Sequence, residues 1–181
     1  MAGFEPLKGH CTCGSIQYQL SAPPLVVHCC HCTWCQREVG AAFATNAQIE
    51  AYNFKITSLE EPIFIQIPSV SGAGQLVARC PTCYTAVYSH NSPRGAIGKA
   101  IMFVKIGTLA DGSRQRVRPD VHIYTSTKVE WVDLQKEEER GIKVYEGYYQ
   151  REDVWSESSL QRRTRLLEWL ESAKEKGTSP E

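Results

Sequence analysis

The chain has 181 residues, close to the roughly 150 of a typical domain, so its length argues for one compact domain with an extension rather than two. With 42% hydrophobic and 22% charged residues it has the apolar content of a packed core, which excludes disordered and collagen-like chains. Twenty Lys and Arg offset twenty Asp and Glu, so no net field draws the chain to nucleic acid or to an anionic membrane.

Residues 1–8 lack the basic and apolar regions of an export signal, and no run of about eighteen apolar residues follows, so a soluble cytoplasmic protein is expected. After Cys11 and Cys13, the alternation of Ile16, Tyr18 and Leu20 with polar residues predicts a half-buried strand, ended by Pro23 and Pro24. The same period recurs between Pro62 and Pro68, and more weakly at 75–79 and 121–125. The near-continuous apolar run 100–106 predicts a strand buried on both faces. Turn-forming clusters at 71–74, 91–95 and 111–113 separate these elements, and together they predict an antiparallel, mainly β domain.

The β pattern stops near Leu134. The charge run 135–140 reads as a solvated face or linker. Ser158 with Gln161 forms a capping-box pattern that opens a helix carrying Leu160, Leu166, Leu167, Leu170 and Ala173 on one face, and Gly177 stops it. Arg162, Arg163 and Arg165 read as its solvated face, with Glu168 and Glu171 close by. The boundaries are therefore a β domain at 1–134 and a helical extension at 135–181.

Eight cysteines fall into three groups: Cys11 and Cys13; Cys29, Cys30, Cys32 and Cys35; Cys80 and Cys83. In a reducing compartment such close pairs read as metal ligands rather than disulfides. Strand spacing would put Cys11 and Cys13 on one face, and Cys80-Pro81-Thr82-Cys83 is a C-x-x-C knuckle. These four thiolates make a closed, structural zinc site. A redox-active pair is the rival, but the chain lacks the βαβ context of such a motif.

Cys30, Cys32 and Cys35 supply three thiolates, which leaves a fourth zinc position open to a substrate sulfur or oxygen. Cys29, His31 or His28 could instead complete a second closed site. His31, between two ligands, and His122 are weak candidates for proton transfer.

The order His10-Cys11-Thr12-Cys13-Gly14, then Cys30-His31-Cys32-Thr33-Trp34-Cys35-Gln36-Arg37, then Cys80-Pro81-Thr82-Cys83 resembles the glutathione-dependent formaldehyde-activating enzyme family, also called the centromere protein V type. Ile106-Gly107-Thr108-Leu109 and His122-Ile123-Tyr124, leading to Lys128 and Trp131, resemble its C-terminal signature, so the likeness spans about 6–134. It implies an Mss4-like fold of antiparallel sheets with zinc knuckles. It also implies two zincs per chain: a structural one on Cys11, Cys13, Cys80 and Cys83, and a catalytic one on Cys30, Cys32 and Cys35, with Cys29 spare. The implied reaction joins formaldehyde reversibly to glutathione through a carbon–sulfur bond. Arg79 and Tyr84 depart from the Phe and Gly common at the knuckle's edges.

The function expected is a zinc-dependent carbon–sulfur lyase acting on a small thiol adduct, with glutathione as co-substrate. The alternatives are a zinc-assisted dehydratase, cyclase or isomerase, which the aromatic extension (Tyr145, Tyr148, Tyr149 and Trp155) could host, and a zinc-stabilised protein-binding module without catalysis.

Overall fold

The computed structural model describes residues 3–69, 72–95 and 97–175. In chain order the strands are β1 (Leu7–His10), β2 (Gln17–Leu20), β3 (Val26–Cys30), β4 (Ala44–Glu50), β5 (Phe54–Ile56), β6 (Ile63–Ile67), β7 (Gln75–Arg79), β8 (Ala86–Asn91), β9 (Ile101–Lys105), β10 (Val121–Ile123) and β11 (Lys143–Val144). The helices are α1 (Thr33–Val39), α2 (Asp111–Arg114), α3 (Gln135–Glu139), α4 (Arg151–Val154) and α5 (Glu157–Glu175). Strands β1, β2 and β5 form a small sheet. The other eight form a large one in the order β11-β10-β3-β4-β9-β8-β7-β6.

The fold is mainly β, and most neighbours are antiparallel. This is the antiparallel, mainly β fold expected, with one parallel edge: β10 runs parallel to both β3 and β11. Each of these pairs is joined by a long connection, as parallel neighbours require.

Side-chain alternation gives the large sheet two working faces. From one face Val27, Ala47, Ile49 and Val104 meet Leu7, Tyr18 and Leu20 of the small sheet in the first core. From the other, Val26, Cys30, Ile101, Val121 and Ile123 meet Tyr149, Trp155, Leu166 and Leu170 in the second. Each fully buried large apolar side chain contributes roughly 1.5–3 kcal/mol, so these four side chains hold the extension against the sheet. Strand β9 has buried residues on both faces, as its apolar run predicts. Strand β6 ends the sheet, so Ile63, Phe64 and Ile65 stay about half exposed despite their strand pattern.

In the extension, 135–139 of the charge run is helical rather than a plain linker. Helix α5 starts two residues earlier than the expected cap would set it, because Ser156 rather than Ser158 accepts from the backbone N–H of Ser159 (3.1 Å). Leu166, Leu170 and Ala173 are buried as the helical face predicts, and Gly177 lies outside the described residues.

Arg162 departs from the solvated-face reading. Its Nε and Nη2 donate to the two carboxylate oxygens of Glu50 (2.8 and 2.5 Å), and the Glu50 side chain is fully buried. Among the described residues, no helix is long and apolar enough to cross a membrane.

Candidate metal centres and the adjoining cavity

The first sulfur cluster gathers Cys11, just past β1, Cys13 in the turn that follows, Cys80 at the end of β7 and Cys83 in the knuckle before β8. Their four Sγ atoms all lie within 4.8 Å of one another. Cys11 and Cys13 sit in a turn rather than a strand, closed by Gly14 N–H donating to the Cys11 carbonyl (3.0 Å), with Gly14 at φ 80°. The Cys11–Cys13 and Cys13–Cys80 sulfurs are 3.5 and 3.7 Å apart. A tetrahedron with metal–sulfur bonds of about 2.3 Å has edges of about 3.8 Å, so the donor set fits a zinc-sized cation. Backbone N–H groups of Ile16 and Cys83 point at the sulfurs of Cys11 and Cys80 (3.3 and 3.5 Å). The knuckle closes with Tyr84 N–H donating to the Cys80 carbonyl, and Tyr84 adopts the left-handed conformation (φ 58°) that glycine would take without strain.

The second cluster is Cys30 at the end of β3, Cys32 and Cys35, again with all sulfurs within 4.8 Å. Cys32 is the N-cap of α1 and accepts from Cys35 N–H (3.4 Å), so the helix start itself folds two donors together. Cys30 and Cys32 sulfurs are 3.5 Å apart. Hydrogen bonding from Cys30, then from Cys35 and the backbone, draws the Cys32 thiol down to about 2, while the same contact with Cys32 pushes the Cys30 thiol far up. Three thiols this close cannot all ionise without a cation among them, and they are a donor set that fits one.

The period of β3 separates the neighbours that the sequence leaves open. His28 and Cys30 share one face, and Cys29 faces the other. Cys29 lies beside Thr45 and His122, and burial pushes its thiol up to about 11. His31 is fully buried, with its Nε2 hydrogen-bonded to His122 Nδ1 (2.8 Å) and its ring against Phe43. His28 is on the sulfur side, but its Nε2 is hydrogen-bonded to the Tyr149 hydroxyl (2.5 Å), which in turn accepts from Trp155 Nε1 (2.8 Å). Burial, with the Arg151 charge adding to it, holds His28 down at about 4, so its ring is neutral. Among the described residues, no fourth His, Cys, Asp or Glu joins the Cys30, Cys32 and Cys35 group.

The triad lines a cavity of about 500 Å³ whose walls include Phe103, Ile123, Tyr124 and Tyr148. Lys105 lines it too. Its Nζ donates to Glu38 Oε2 (2.7 Å), and Glu38 also accepts from Arg79 (3.3 Å), so one α1 carboxylate fixes two cations. The Lys105 charge acts on Cys35. Asn46 of β4 stands opposite both His28 and Lys105 in the sheet register, is buried, and has a side-chain oxygen without a hydrogen-bond partner at the cavity. Tyr124 holds a left-handed backbone (φ 57°) at the cavity wall, the kind of strained position that recurs beside functional sites. Of these wall residues the sequence reading singled out Tyr148 in the aromatic extension, and Ile123 and Tyr124 as part of the C-terminal signature, but neither Asn46 nor Lys105.

Fold and donor sets define a mixed-sheet β protein with two cysteine clusters able to hold metal ions. The chain belongs to the glutathione-dependent formaldehyde-activating enzyme family, whose sequence model matches residues 6–127. A crystal structure of a Rhodobacter sphaeroides protein is similar at 14% identity and a TM-score of 0.42, covering 76% of this chain and 98% of that one. No curated protein matches the chain.

Proposed function

We propose that this chain is a zinc-dependent enzyme that forms or breaks the carbon–sulfur bond of a small thiol adduct, of the kind formed by glutathione and formaldehyde. In this reading Cys30, Cys32 and Cys35 hold the working metal, and Cys11, Cys13, Cys80 and Cys83 hold a structural one. The observation that carries it is a three-sulfur donor set, without a fourth protein ligand among the described residues, opening onto a cavity large enough for a small metabolite.

When bound, zinc supplies positive charge that favours a substrate thiolate or polarises an oxygen. The other tasks fall to the chain. In the forming direction the sulfur joins the aldehyde carbon, the carbonyl π pair moves to oxygen, and the thiol proton ends on that oxygen. Lys105 Nζ, held by Glu38, is the cavity's donor for a developing negative oxygen. Asn46 offers an unpaired acceptor to a polar substrate group, and Phe103 and Ile123 exclude water. His31 has no part in this step, since it lies buried against His122 on the other face.

The test is exchange of carbon-13 formaldehyde with its glutathione adduct, followed by NMR. The zinc-loaded wild type accelerates exchange, whereas Cys32→Ser, folded by circular dichroism, leaves it at the uncatalysed rate. A Cys32→Ser protein as fast as wild type contradicts the proposal.

A further inference from the structure

Beside the sulfur-lined cavity lies a second one of about 300 Å³. The two share Asn91, Phe103 and Tyr148 in their walls, so they form adjoining compartments. Two guanidinium groups line the second compartment: Arg151, from the first turn of α4, and Arg163, from α5. Among the described residues neither arginine makes an ion pair, and no Asp or Glu lines the compartment. Arg151 instead lies over the Trp155 ring at 5.9 Å. Burial, followed by the nearby Arg151 charge, lowers the pKa of Arg163, so the two cations are close enough to repel. The acid that acts on Arg163, Glu152, is exposed and lies outside the lining.

Two partly buried like charges beside each other are costly unless an anion joins them. The fold holds them there firmly. Arg162, the neighbour of Arg163, is clamped to buried Glu50, and Trp155 and Leu166 sit in the second core. Asn91, at the junction of the compartments, also keeps a buried side-chain oxygen without a hydrogen-bond partner. Both arginines lie beyond residues 6–127, in the segment outside the family match.

We propose that Arg151 and Arg163 form an anion subsite that binds a carboxylate of the thiol substrate while its sulfur end lies at Cys30, Cys32 and Cys35. The extension thereby sets specificity, selecting thiol adducts with an anionic tail over neutral ones. This inference rests on the proposed thiol chemistry at the sulfur triad, and the test separates the two.

Isothermal titration of the zinc-loaded protein with glutathione, its dimethyl ester and S-methylglutathione is the experiment. The ester lacks the carboxylate charges, and the S-methyl compound lacks the free thiol. Wild type should bind glutathione at least about tenfold more tightly than the ester, the scale of one charge-assisted hydrogen bond. Arg151→Gln and Arg163→Gln, each checked for an unchanged melting temperature, should remove most of that preference and leave ester binding unaltered. Equal affinity for glutathione and ester in the wild type, an undiminished preference in both variants, or no binding of any of the three compounds overturns the subsite. Equal binding of glutathione and S-methylglutathione, with the ester still weaker, counts instead against sulfur at the triad.

Discussion

Arg162→Met should destabilise the protein far more than a change on a charged helix face normally does. The substitution keeps most of the side-chain volume but removes both donors to Glu50, whose side chain is fully buried. Removing one partner of a buried pair costs about 3–5 kcal/mol, most of it from the charge left behind. Here the Nδ2 of Asn53 (3.1 Å) and the Tyr52 hydroxyl (3.4 Å) remain to satisfy Glu50 in part, which places the loss near the lower end, about 3 kcal/mol. For a chain of this size that corresponds to a fall of roughly 6–12 °C in melting temperature. Adding Glu50→Gln removes the stranded charge and should restore more than half of the loss. Calorimetry or urea unfolding of the wild type, both single variants and the double variant measures each term. A fall under 2 °C for Arg162→Met, or a double variant no more stable than Arg162→Met, refutes the reasoning.

Other outcomes follow from the same geometry. Glu50 titrates below its ordinary 4.5, because the Arg162 and Asn53 contacts outweigh the opposing effect of burial. A lowered folded pKa gives stability that is complete above 4.5 and lost as pH falls through the folded value. Unfolding curves from pH 7 to pH 3 should therefore show a loss below about 4.5 that Glu50→Gln diminishes. Cys80→Ser removes a buried donor of the proposed closed site and should yield a protein without cooperative thermal unfolding, since structural zinc contributes about 10–16 kcal/mol in small domains. A sharp melt near the wild-type temperature counts against that site's structural role. Tyr84→Gly relieves a left-handed tyrosine whose side chain is 62% exposed, and should raise stability by about 0.5–1 kcal/mol in urea titration. A decrease means that the tyrosine's contacts outweigh its strain.

The sulfur clusters were legible in the sequence because short spacings leave thiolates few ways to point. The face on which they open was not. It depends on β3 and β4, and Val26-Val27-His28-Cys29-Cys30 and Ala44-Thr45-Asn46-Ala47-Gln48-Ile49-Glu50 carry neither clean alternation nor an apolar run. Both are buried on two faces, one against the small sheet and the other against the cavity and the extension. Polar residues there satisfy those surroundings and break the strand pattern. His31 stood next to the clustered cysteines in sequence, yet the period of two turns it away from their sulfurs. The role of Arg162 was hidden because its partner Glu50 is 112 residues distant and itself sits in a strand that periodicity does not reveal. The C-terminal helix was readable from its apolar stripe, while its first residue depended on which of two nearby serines caps it.

X-ray absorption at the zinc edge of the protein loaded with two zincs tests the central claim most directly. Four sulfurs at one site and three at the other predict an average near 3.5 sulfur ligands per zinc, with a lighter atom completing the second site. Addition of glutathione should raise the average to about four. An average already at four protein ligands, unchanged by saturating glutathione, would contradict the account.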